Sequence, residues 1–287
     1  MLDTQVQNRA RRADRGSGIV DRMDLSLAGK KALVCGSSQG IGRAAAVELA
    51  ALGATVTLLA RDEDRLRLAA AELPRPHGAA SQPHSHLVAD FSEPEQVRQA
   101  VASAIDPASP FHILVNNTGG PPGGPITEAT PEQFLAAFTA HVVCNQILVQ
   151  ALLPGMKAAR YGRIINVIST SVKAPIPGLG VSNTIRGAVA NWAKTLAGEV
   201  GPYGITVNNV LPGYTSTDRL ASLIKARAQK TGESEETVKQ GMIATIPAGR
   251  FGEASEVAAA IAFLASPAAG YINGINLPVD GGRLGTL

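Results

Sequence analysis

Two cysteines in 287 residues, Cys35 and Cys144, are too few and too far apart for a disulfide scaffold, and neither sits in a CxxC or Cys/His pair spaced for zinc. A reduced, cytoplasmic protein without a metal centre is expected. Long apolar runs are also missing. A stretch such as 257–265 falls well short of the roughly 20 residues that a spanning helix needs, so no membrane segment is expected. Charge is scarce and nearly balanced: charged residues make up 17% of a chain that is 45% hydrophobic, which excludes a disordered protein, and the formal net charge is +3. Five arginines against three aspartates in residues 1–22 supply most of that excess. The remainder lacks the concentrated basic surface of a nucleic-acid binder. Residues 1–23 have no apolar stretch of a signal peptide and read as a polar, disordered extension, with a basic arm for a polyanion as the alternative. One domain is expected over 24–287.

What is present is a regular alternation. Short β-branched or aliphatic runs at 31–35, 55–59, 86–89, 113–116, 163–168, 206–210 and 275–278 alternate with helical patterns at 41–52, 63–72, 94–104, 131–159, 181–203 and 256–264. This pattern predicts an α/β fold, a doubly wound, Rossmann-type seven-stranded parallel sheet with helices on both faces. Thr130, Pro131 and Gln133 form a start signal for the fourth helix: a capping hydroxyl, a first-turn proline and a capping-box glutamine. The connection 73–83, rich in Pro, Ala and His, reads as a surface loop in which His77 and His84 are solvated. Residues 214–242 insert a charged, helix-prone segment where open sheets place their ligands, and so predict a lid.

The turn Gly36-Ser37-Ser38-Gln39-Gly40-Ile41-Gly42 joins the first strand to the first helix. Glycines permit a tight turn and close backbone approach, and the helix N-terminal amides then face a pyrophosphate. Ala60 at the end of the second strand is not the acid that would hold the ribose hydroxyls of NAD, and Arg61 follows it.

Here the chain resembles the short-chain dehydrogenase/reductase family. The likeness runs over 25–282: Gly36, Gly40 and Gly42 in the G-x-x-x-G-x-G spacing, Asp90 after the third strand, Asn116-Asn117-Thr118-Gly119 after the fourth, 162–169 along the fifth, Pro212-Gly213 followed by Thr217, and Asp280-Gly281-Gly282. The resemblance implies a dinucleotide site made by Gly36, Ser37, Gln39, Gly40, Ile41 and Gly42. It also implies that Asp90 bonds the adenine, that Asn116 supports the sheet and ribose region, and that Thr217 contacts the nicotinamide amide. In this family an arginine at the place of Arg61, helped by Ser37, pairs with the 2′-phosphate of NADP, so NADP rather than NAD is the expected cofactor. Thr118 stands where the family has Ala, and Cys35 where it has Thr; Cys35 reads as a small buried strand residue rather than a reactive thiol.

The catalytic set departs from the resemblance. Ser169 is in place, but the tyrosine position thirteen residues later holds Ser182, the lysine position holds Arg186, and the asparagine position holds His141. A serine hydroxyl is far less acidic than a phenol with its pKa of about 10, and an arginine cannot relay protons. Ser182 and Arg186 still share one helical face, where Arg186 is placed to bind ribose hydroxyls. His141, with an ordinary imidazole pKa of about 6.5, is either a hydrogen-bonded histidine that shapes its helix or a proton relay acting through water, with Ser169 and Ser182 orienting the oxygen. Asn145, one turn on, forms with His141 either a polar track or a satisfied buried pair. Tyr214 is a substrate contact or replacement phenol, or else a partly packed core residue, and Lys173 either meets an acidic substrate or faces solvent.

The leading expectation is an NADP-dependent oxidoreductase acting on a small carbonyl or alcohol and forming a homodimer or homotetramer. A catalytically silent NADP(H)-binding sensor or assembly subunit is the second reading. A lyase or isomerase using the same cleft is the third.

Overall fold

The computed structural model describes residues 23–75 and 83–286. The polar extension expected over 1–22 and His77 lie outside the described residues. Strands β1 (Lys31–Cys35), β2 (Thr55–Ala60), β3 (Ser85–Val88), β4 (Ile113–Asn116), β5 (Gly162–Val167), β6 (Ile205–Pro212) and β7 (Asn276–Val279) form one parallel sheet in the order β3-β2-β1-β4-β5-β6-β7. The chain winds outward from β1 to one edge, then crosses back to β4 and winds to the other. That reversal opens a crevice beyond the carboxyl ends of β1 and β4.

Successive strand residues face opposite sides, which separates two cores. Ala32, Val34, Val56, Leu58, Val115 and Ile165 pack with helices α1 (Gly40–Ala51), α2 (Glu63–Ala71) and α9 (Ala254–Ala265) on one face. Leu33, Cys35, Leu59, Leu114, Ile164 and Val207 pack on the other with α3 (Pro94–Ala104), α5 (Cys144–Ala159) and α6 (Gly180–Val200). Both cysteines are buried there. Burial pushes the Cys35 thiol far up and that of Cys144 to about 11, so neither is a nucleophile at neutral pH.

The elements follow the sequence pattern within about two residues, with three instructive differences. The expected helix over 131–159 is divided into α4 (Pro131–Phe138), a π turn at Thr139–Val143 and α5; the expected Thr130/Gln133 capping box starts it. This stretch of 29 residues contains 18 consecutive residues with mean hydropathy 1.5 and so is long and apolar enough to cross a membrane by length and composition, a feature hidden when only unbroken apolar runs are sought; 44% of those 18 are buried against the rest of the fold. The insertion at 214–242 forms two helices, α7 (Asp218–Thr231) and α8 (Glu235–Ile243). Their Leu220, Ile224, Val238 and Met242 make a separate apolar cluster with Tyr214 and Phe251. Finally, His84 is structural rather than solvated: its Nδ1 accepts from Val56 N–H at 3.0 Å and its Nε2 lies 3.1 Å from the Pro74 carbonyl.

Candidate functional site

The crevice at the strand ends is a cleft of ≈ 1040 Å³. Its floor is the glycine turn. Gly36 and Gly40 both have φ of +57, a left-handed conformation that side chains with a Cβ disfavour. A Cβ on Gly36 would stand 2.7 Å from the Asn117 carbonyl oxygen, and one on Gly42 would stand 2.2 Å from the Gly36 oxygen, so the turn is held by backbone packed on backbone. Asn117, whose role the sequence left unassigned, donates Nδ2 to the carbonyls of Cys35 and Gly36 at 3.3 and 3.2 Å and pins the turn to the end of β4. At the start of α1, Gln39 makes no side-chain cap bond, which leaves the first helix amides available to an anion. Gln39, Gly40 and Ile41 line the cleft as expected, whereas Gly42 is buried behind them.

At the far end of β2, Arg61 also lines the cleft with its side chain 79% exposed, and its Nη1 lies 3.7 Å from Asp90 Oδ2. Asp90 accepts the Ser92 N–H and Oγ–H, each at 2.9 Å; the backbone bond above all holds its carboxyl below the usual range. Ser37 does not join this group. It is completely buried, and its Oγ accepts from Leu59 N–H at 3.0 Å, because the turn directs its side chain into the β1/β2 edge. Ser38, one residue on, faces the cleft instead. Left-handed glycines, an uncapped helix start, and an arginine where a carboxylate would repel a phosphate together fit a 2′-phosphorylated adenine dinucleotide.

Ser169, Ser182, Arg186 and Thr217 also line the cleft, with Thr217 Cγ2 3.5 Å from where a Cβ on Gly40 would stand. Ser169 follows β5, and its Oγ accepts from Ser171 N–H at 3.1 Å. Ser182 and Arg186 come from successive turns of α6. Arg186 is only 8% exposed; Nη1 donates to the Val167 carbonyl at 3.0 Å, and burial, then the charge of Arg219, lowers its pKa to about 10. Thr217 caps α7, its Oγ1 accepting from Leu220 N–H at 3.4 Å. Asn116 lies beneath the cleft, 2% exposed, and donates Nδ2 to Asn166, so its place is structural support of the sheet.

His141 requires a correction. It occupies the π turn, is 3% exposed, and its pKa is pushed down to about 2, first by burial and then by the nearby Arg186 charge, against a weaker opposing hydrogen bond with the Gly119 backbone. A neutral imidazole throughout the ordinary pH range replaces the titrating group that the sequence suggested. His141 and Asn145, both buried, line one small polar cavity together with Asn116 and Arg186. Tyr214 borders the main cleft, but its hydroxyl accepts from Arg283 Nη2 at 3.1 Å, and its ring lies under that guanidinium and edge-on to Phe251. Lys173 ends the short 3-10 turn Thr170–Val172 and does not line the cleft. Arg219 was missed altogether, since a lone arginine in a charged helical segment carries no local signal.

A family model described as enoyl-(acyl carrier protein) reductase matches residues 36–283. The 3-oxoacyl-[acyl-carrier-protein] reductase of Haemophilus influenzae is 35% identical over 254 residues, covering 88% of this chain and 98% of that protein. Among solved structures, L-sorbose reductase from Gluconobacter frateurii, complexed with NADPH and L-sorbose, superposes with a TM-score of 0.84 at 33% identity, covering 92% of this chain and 100% of that one. A 3-oxoacyl (acyl-carrier-protein) reductase from Agrobacterium tumefaciens with NADP bound gives a TM-score of 0.79 at 26% identity, covering 90% and 95%.

Proposed function

The chain belongs to the short-chain dehydrogenase/reductase family, and on that basis we propose that it is an NADP-dependent oxidoreductase acting on a small carbonyl or alcohol substrate. The observation that carries this reading is the continuity of one cleft, from Arg61 and the glycine turn to Ser169, Ser182 and Arg186. NADP is the cofactor in this reading, as it is in the sorbose reductase and Agrobacterium structures. Arg61 and Ser38 hold its 2′-phosphate, the α1 amides its pyrophosphate, Asp90 its adenine and Thr217 its nicotinamide amide. When bound, NADP(H) supplies or accepts a hydride at its nicotinamide ring.

The chain's own residues then manage charge. Ser169 and Ser182 hold the substrate oxygen, and Arg186 stabilises the negative charge that develops on it. Ser182 and Arg186 stand in for the family's tyrosine and lysine, and neither donates a proton at neutral pH. The proton therefore comes from water entering the open cleft. The hairpin of α7 and α8 closes over the substrate, and the exposed Leu135 and Phe138 of α4 support association into a homodimer or homotetramer of a cytoplasmic protein.

Absorbance at 340 nm should fall when NADPH is mixed with the protein and a panel of aldehydes, ketones, quinones and oxo acids, and fall more slowly with NADH. Tight NADPH binding with no oxidation across the panel would replace the enzyme with a silent cofactor-binding subunit. Sedimentation as a monomer at micromolar concentration would refute the oligomer.

A further inference from the structure

Two arginines converge on one glycine in this cleft. Arg186 extends from α6, and Arg219 from the first turn of α7. Arg186 fixes Nη1 on the Val167 carbonyl at 3.0 Å, and Arg219 fixes Nη2 on the Pro121 carbonyl at 2.7 Å. The Nη2 atoms of the two lie 3.5 and 3.6 Å from the point where a Cβ on Gly120 would stand. Among the described residues, no carboxylate is within ion-pair distance of either guanidinium. Asp90 and Asp218, the acids lining the same cleft, pair with neither.

Arg186 is buried and Arg219 is exposed, so two like charges meet at the cleft without an acid from the chain, and partial desolvation lowers the pKa of both. Nature of the side chain matters here. A guanidinium stays charged and presents a planar fork that matches a carboxylate, and both forks are already oriented by backbone carbonyls. Gly120 keeps the space between them open; a Cβ there would occupy it, in ordinary van der Waals contact with both nitrogens.

We propose that Arg186 and Arg219 bind a carboxylate of the substrate beside Gly120, so that the substrate class is an oxo acid or its hydroxy acid. This rests on the reading of the cleft as a dinucleotide-dependent redox site, and it names the substrate of that same site. The dinucleotide pyrophosphate is the other anion that could meet the pair. The α1 amides at Gly40 and Ile41 already provide for it, whereas Arg186 shares its end of the cleft with Ser169 and Ser182.

The test is calorimetric titration of the NADP⁺-saturated protein with matched pairs, benzoylformate against benzoylformamide and pyruvate against pyruvamide, with NADP⁺ affinity measured separately. Arg219→Gln removes one fork. Gly120→Ala keeps both charges and puts a methyl group between them, at ordinary van der Waals distance from each nitrogen. Each acid should bind at least tenfold more tightly than its amide, and both variants should erase most of that preference while changing NADP⁺ affinity less than twofold. Equal binding of acid and amide, or a preference unchanged in both variants, overturns the proposal. So does a loss of NADP⁺ affinity in both variants that matches the loss for the acids, which would assign the pair to the pyrophosphate. Carboxylate binding that depends on the pair, in a protein that never oxidises NADPH, would uphold the site and refute the redox reading alone.

Discussion

Arg61 Nη1 lies 3.7 Å from Asp90 Oδ2 across the outer end of the cleft, with the arginine side chain 79% and the aspartate 34% exposed. A long, exposed pair of this kind contributes little to stability, so Arg61 is free to turn to a phosphate. Arg61→Ala should weaken NADPH binding tenfold to a hundredfold, the equivalent of about 1.5–3 kcal/mol for a charge-assisted bond, and leave NADH binding within twofold. Fluorescence titration with both nucleotides checks this; parallel losses would remove Arg61 from cofactor selection.

Asn166 links the strands beneath the site. It accepts from Asn116 at 2.8 Å and donates to Asn209 at 2.9 Å, and Asn209 donates in turn to Asn276 at 2.8 Å, so side-chain amides run across four strands in register. Asn166→Ala leaves two buried groups unpaired and should cost about 2–4 kcal/mol in urea unfolding. A loss below about 0.5 kcal/mol, the range of inconsequential surface changes, would show that the ladder is not structural.

Gly42→Ala tests the backbone packing of the turn. Its Cβ would fall 2.2 Å from the Gly36 oxygen and 2.8 Å from Asn117 Nδ2, so α1 must move away from β1 to admit it. NADP⁺ affinity should drop more than tenfold, accompanied by a lower thermal midpoint. Ala at Gly119, where nothing lies within 4 Å, should leave the midpoint unchanged.

His141 makes acid sensitivity testable. Its folded pKa of about 2 lies below the ordinary imidazole value of 6.5, so the unfolded chain binds the proton more readily between those limits. The stability associated with neutral His141 is complete above pH 6.5 and is lost as pH falls, by up to about 1.4 kcal/mol per unit. His141→Asn should therefore unfold at lower pH than the parent protein in circular dichroism titrations. Nor should a parent His141 resonance titrate between pH 5 and 8 in NMR; a midpoint near 6.5 would restore the proton-relay role.

The sequence by itself determined the strands and helices, the Thr130/Gln133 cap, the glycine turn and Arg61, because each depends on local periodicity or on a motif a few residues long. Tertiary structure decided what local pattern cannot contain. The twist of one turn buried Ser37 and set Ser38 on the cleft, and packing around the π turn, beside Arg186, lowered the pKa of His141. Asn116, Asn166, Asn209 and Asn276 are 160 residues apart from first to last, and only strand register makes them neighbours. Likewise, Arg186 and Arg219 belong to different helices and meet at Gly120 because the fold brings three loop and helix ends to one side of the sheet. Burial and charge at a site are sums over such distant neighbours, so they appear only once the chain has folded.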